Sequence, residues 1–175
     1  MLEVLVSLVI ILLGLLGLAG LIVRSNQAEM ESYQRVQALA LVQDMADRIN
    51  ANRKVASCYS DGATGIKLGT GAAAPAACGS GSAQEQARAD ADLDAWNKLL
   101  LGSAEQAADA SKVGAMIGAR GCIDFVAADQ AYVVSVAWQG LGTTKEPVNT
   151  CGLNDYGDDK LRRVVTSTVR IGALL

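Results

Sequence analysis

VLVSLVIILLGLLGLAGLIV, Val4 to Val23, is twenty residues without a charge, preceded by one acid, Glu3, and followed by Arg24. At ~1.5 Å per residue such a run reaches about 30 Å, enough to cross the hydrocarbon core of a bilayer. The apolar part of a secretory signal is shorter and ends at a small-residue cleavage site. Leu21-Ile22-Val23-Arg24 offers no such site. The stretch therefore reads as a retained membrane helix.

Beyond Arg24 nothing stops the helix. From Ser25 to Lys54 there is neither proline nor glycine, although the chain holds 18 glycines in all. Tyr33, Val36, Ala40, Met45 and Ile49 recur at roughly helical spacing, with Leu39 and Val42 widening the stripe. Glu31 with Arg35 and Asp44 with Arg48 stand one turn apart, acid first, the more favourable orientation for such pairs. Asn50, Asn52 and the change of character at Val55 mark the expected end. One helix of about 50 residues, roughly 80 Å long, follows from that reading. Its first half is suited to lipid and its second to a domain. The expected divisions are 1–24 for the membrane segment, 25–54 for its amphipathic continuation, and 55–175 for a globular domain.

Residues 55 to 81 have loop composition, with Gly62, Gly65, Gly69, Gly71, Gly79 and Gly81 among Ala, Ser and Thr. A loop of that length needs pinning within a compact domain. Ser82-Ala-Gln-Glu85 has the form of a capping box and opens a helix with Leu93, Trp96, Leu99 and Leu100 on one face, ending near Gly102. Strands are expected at Cys122–Ala127, Tyr132–Trp138 and Val164–Ile171, with a hairpin turn at Asp129-Gln130.

Four cysteines, Cys58, Cys78, Cys122 and Cys151, all follow the apolar run at separations of 20, 44 and 29 residues. No zinc or redox spacing is present, and the chain has no histidine. An even number behind a membrane anchor points to two disulfides in an oxidising space. Buried thiols in a cytosolic domain are the alternative. Arg24 taken alone would put the domain on the cytoplasmic side, and the cysteines outweigh it. Four cysteines allow three pairings. Proximity and loop composition favour Cys58–Cys78, pinning the glycine-rich loop, and Cys122–Cys151, tethering the connection 139–161.

The acid at the mouth of the N-terminal helix, within Met1-Leu-Glu-Val-Leu-Val-Ser-Leu8, resembles the start of type IV pilins. Gly14 to Leu21, Met45 to Arg53, Asp92-Leu-Asp-Ala-Trp-Asn97, Gly121-Cys-Ile123 and Val134-Ser-Val-Ala-Trp138 resemble the minor pilins called PilV, or pilus modification proteins. The resemblance implies an α+β fold, with the long N-terminal helix packed on a small antiparallel sheet and a second short helix in the connecting region. It implies a non-enzymatic subunit of a tip or priming complex that initiates pilus assembly and presents an adhesin. The implied partners are other minor pilins, the major pilin, a PilY-type adhesin, the inner-membrane assembly platform and the prepilin peptidase. The implied location is the bacterial inner membrane with a periplasmic domain, then the fibre tip. In the family the acid is the fifth residue of the mature chain. Here it is the third, so two residues and a short basic leader are expected ahead of Met1.

Glu3 is the expected assembly residue. A carboxylate at the edge of hydrocarbon is unfavourable, and the resemblance supplies its partner, the free amine of a neighbouring subunit. Gly14, Gly17 and Gly20 lower helix propensity by ~1 kcal/mol each in a soluble host and are expected to let the helix loosen on leaving lipid. Their alternative role is a small-residue dimerisation face. Trp96 and Trp138 fit either a ligand-binding pair or, at their helical and strand spacings, a core. Asp155, Asp158 and Asp159 offer oxygens to calcium but lack an EF-hand spacing, so a solvated acidic turn competes.

No cofactor is expected. Ser-His-Asp and Cys-His arrangements are excluded by the missing histidine, and no phosphate-cradling loop is present. A net charge of −3 with scattered basic residues disfavours nucleic acid. The competing readings are a type II secretion pseudopilin, a DNA-uptake pilin and a single-pass periplasmic enzyme.

Overall fold

A computed structural model describes residues 2–61, 65–103 and 116–172. Gly62 of the glycine-rich loop lies outside the described residues. Helix α1 runs without a break from Leu2 to Ala51. The chain divides into two units, Met1–Gln34 and Arg35–Leu175, so α1 contributes to both. In the first unit every described residue up to Met30 is exposed.

The second unit is built on the final turns of α1. Ala38, Val42, Met45 and Ile49, spaced by four, three and four, are each at most 2 % exposed. They meet a sheet of four antiparallel strands in the order β1 (Ile66–Gly69), β2 (Arg120–Val126), β3 (Ala131–Gln139) and β4 (Arg162–Arg170). This is the α+β arrangement of a type IV pilin fold. The long N-terminal helix is accompanied by the shorter α2 (Ala83–Leu100), which also packs into the core.

Four of the seven residues of the expected stripe on α1 face outward. Tyr33, Val36 and Leu39 are 60, 66 and 48 % exposed, and Ala40 is exposed as well. The buried line joins Val42, Met45 and Ile49 of that stripe to Ala38 and Ala46. Two apolar lines share this stretch of helix, and periodicity does not say which one meets the core.

The end of α1 follows its sequence signals. Asn52 leaves the helical region, and a 3-10 segment covers Arg53–Tyr59 with Val55 bent out of helical geometry. Ser82 and Glu85 form a reciprocal cap on α2: the Ser82 side chain accepts from the Glu85 N–H, and the Glu85 carboxylate accepts from the Ser82 N–H. Strand β1 arises within the stretch read as loop. Its Ile66 and Leu68 point into the core, and Ile66 stands opposite Ile123 of β2. Four residues are too few for alternation to be visible before the partner strand is known.

Both faces of the sheet are covered. Tyr132, Val134, Val136 and Trp138 of β3 join the main core, while Ala137 lies in a second cluster with Cys122, Cys151 and Tyr156. The connection between β3 and β4 supplies Cys151 and Tyr156 to that cluster. The covalent bonds are Cys58–Cys78 and Cys122–Cys151.

Candidate assembly surface

In the first unit the side chains are arranged by the helix alone. From Leu2 to Val23 every large apolar residue is more than half exposed, with Leu2 at 77 %. The segment is long and apolar enough to cross a membrane, with a mean hydropathy of 2.9 over its most apolar window and none of that window buried. Exposing so much apolar surface to water is unfavourable by about 25 cal/mol per Å². A lipid or protein environment removes that cost.

Glu3 occupies the first turn of α1, where free N–H groups favour negative charge. Ser7 Oγ donates to the Glu3 backbone carbonyl at 2.7 Å. No hydrogen bond or ion pair to the Glu3 carboxylate occurs among the described residues. Gly14, Gly17 and Gly20 are helical, and a Cβ built on any of them would meet nothing within 4 Å. Close packing within the chain is therefore not the reason for these glycines.

In the second unit a polar network joins the end of α1, the 3-10 segment and α2. Arg48 donates to Asp44 at 2.8 Å and to Asp92 at 2.9 Å. The Tyr59 hydroxyl donates to the other Asp92 oxygen at 2.6 Å, and Asn52 Nδ2 donates to Tyr59 and to the Glu85 carbonyl. Burial, followed by the bond to Asp92, pushes the Tyr59 hydroxyl well above its ordinary pKa. The Arg48 guanidinium is held above its usual value chiefly by its bond to Asp44. Glu85 lies below the ordinary carboxylate value because Ser82 donates to it from backbone and side chain.

Both tryptophans are structural. Trp96 is fully buried and its indole N–H donates to the Leu41 carbonyl at 2.8 Å, binding α2 to α1. Trp138 is 3 % exposed in the same core.

The three acids weighed as calcium ligands each have a separate occupation. Asp155 pairs with Arg120 at 3.1 Å, Asp159 pairs with Arg162 at 3.1 Å, and Asp158 accepts from the Lys160 N–H. Among the described residues, no group of three or more metal-ligating side chains is clustered where it could hold an ion.

The most consequential of these partners, Arg162, gave no signal in the sequence. It is 1 % exposed and donates to the carbonyls of Pro147, Asn149 and Cys151 while pairing with Asp159. One guanidinium fork thereby gathers the connection that covers the outer face of the sheet. Nothing in the order Leu-Arg-Arg-Val distinguishes it from the neighbouring Arg163. In the sequence Asp92 is distinguished only as part of Asp92-Leu-Asp-Ala-Trp-Asn97, and its role as acceptor for both Arg48 and Tyr59 requires three separate segments to converge.

Comparison with known proteins gives one family match. Residues 20–96 match the family described as Tt1218-like, type IV pilin Tt1218. No curated protein and no solved structure matches. The family match covers less than half of the chain, and together with the fold and the exposed apolar helix it supports a resemblance to type IV pilins and a helix suited to membrane anchoring.

Proposed function

We propose that this chain is a non-enzymatic, PilV-like minor pilin, working in the tip complex that primes assembly of a type IV pilus. The observation that carries the reading is the first half of α1. It presents an apolar surface along Leu2–Val23 with none of its most apolar window buried, and Glu3 in the first turn without an ion pair among the described residues. Such a surface suits a bilayer and then the packed interior of a fibre. Residues 1–24 serve as the anchor and assembly segment, 25–54 continue it, and 55–175 form a periplasmic domain whose surface selects neighbours. Other minor pilins, the major pilin and a PilY-type adhesin are the partners, with the assembly platform and prepilin peptidase acting in the inner membrane.

Within this reading Glu3 pairs with the N-terminal amine of an adjacent subunit as lipid is exchanged for protein. A charge-assisted bond in a low-dielectric interior is stronger than in water and places one helix in register with the next. Glu3→Val should leave the domain folded and remove the subunit from sheared fibres. Normal amounts of Glu3→Val subunit in those fibres would refute the role. A type II secretion pseudopilin shares this assembly logic. Co-purification with pilus minor pilins supports the pilus, whereas co-purification with secretion components supports the alternative.

A further inference from the structure

A cavity of about 380 Å³ lies at the junction of α1, the 3-10 segment and α2. Among the described residues its ionisable lining is Arg53, Lys54, Arg88 and Glu85, three cations against one acid in a chain whose net charge is −3. The acids that could neutralise those cations are already engaged. One Glu85 oxygen accepts the Ser82 N–H at 2.9 Å and the Ser82 hydroxyl at 2.8 Å, leaving the other 3.9 Å from Lys54. Asp92 accepts from Arg48 at 2.9 Å and Tyr59 at 2.6 Å, and Arg88 stands 4.0 Å from it. Arg53 has no ion-pair partner among the described residues. Lys54 and Arg88 are 74 and 58 % exposed at the side chain.

We propose that this groove is a binding site for an acidic polypeptide segment, with Arg53 and Arg88 taking carboxylates and Lys54 adding a mobile third charge. An arginine fork matches a carboxylate in a two-bond geometry that a solvated surface lysine does not supply. The fixed network beneath the groove holds the backbone from which the cations project. Among the described residues no aromatic side chain lines the cavity to stack a base, and Glu85 at its rim opposes a continuous polyanion. Those features favour isolated carboxylates on a protein over nucleic acid. The site stands on its own charges, whether or not the chain enters a fibre.

The test is calorimetric titration of the full chain, in a neutral detergent at low ionic strength, with a capped hexaglutamate peptide. Hexaglutamine, inorganic phosphate and a single-stranded oligonucleotide are the comparison probes. Hexaglutamate should bind and hexaglutamine should not, and Arg53→Gln and Arg88→Gln should each weaken binding about tenfold. Lys98→Gln, which removes an exposed cation already paired with Asp94 at 2.6 Å, should leave affinity unchanged. The proposal is overturned if hexaglutamate fails to bind, if phosphate or the oligonucleotide binds as tightly, or if Lys98→Gln weakens binding as much as Arg53→Gln. Should Arg88→Gln unfold, Arg53→Gln alone decides, because Arg53 has no ion-pair partner among the described residues.

Discussion

Gly121 has no side chain because Trp96 occupies the space a side chain would need. A Cβ there would lie 2.3 Å from the indole Cη2 and 2.7 Å from Leu100 Cδ1, both fully buried. Gly121→Ala should therefore push α2 away from the sheet and lower stability by about 1–3 kcal/mol, measured as a reduced Tm of the full chain in detergent. An unchanged Tm would mean that α2 shifts freely. Tyr59 is a second residue whose surroundings set a measurable property. Its hydroxyl pKa is raised in the folded state by burial and by the bond to Asp92. The folded chain consequently holds this proton more tightly than the unfolded chain. The resulting stability is complete below the unfolded value near 10 and is lost as pH rises beyond it. Tyr59→Phe should flatten the alkaline loss of Tm without abolishing it, since burial also raises Tyr132 and Tyr156. Identical alkaline curves for the two proteins would remove Tyr59 from the account.

Among the elements, the connection between β3 and β4 is held by two kinds of restraint. The Cys122–Cys151 bridge closes a loop of 29 residues, and Arg162 binds the same segment through three carbonyls and Asp159. Removing the bridge through paired Cys122→Ser and Cys151→Ser substitutions should cost about 2–5 kcal/mol. Because Arg162 remains, the loss should appear as lower denaturant resistance with the fold retained, checked by tryptophan fluorescence of Trp96 and Trp138. Loss of native fluorescence in the absence of denaturant would show that the guanidinium fork does not suffice. Helix α1 poses a different question at this scale. It is unbroken through Gly14, Gly17 and Gly20, where no side-chain packing within the chain adds to backbone hydrogen bonding. Hydrogen exchange should therefore become faster at Gly20 in the assembled fibre than in a bilayer if loosening accompanies assembly. Equal protection in both forms would argue that the glycines serve helix–helix contact instead.

For the whole molecule, the amino-acid order already separates an apolar helix from a polar, disulfide-bearing domain. Twenty uncharged residues determine a membrane-length helix because no short-range alternative satisfies both their backbone and their side chains. The absence of proline and glycine from 25 to 54 determines that this helix continues. The capping pair Ser82 and Glu85 determines where α2 begins, through contacts only three residues apart. Alternation identifies β3 and β4, and a short run of β-formers identifies β2, for the same local reason. Other features were decided only in three dimensions. Which apolar line of α1 is buried depends on the surfaces of α2 and the sheet. Strand β1 exists because β2 offers its edge to Ile66–Gly69. Arg162 and Asp92 acquire their roles from carbonyls and donors in distant segments, whose approach has no periodic signature. Glu3 lies at the other limit. Its position before the apolar run was legible at once, while its proposed work depends on a neighbouring amine that no fold of a single chain supplies.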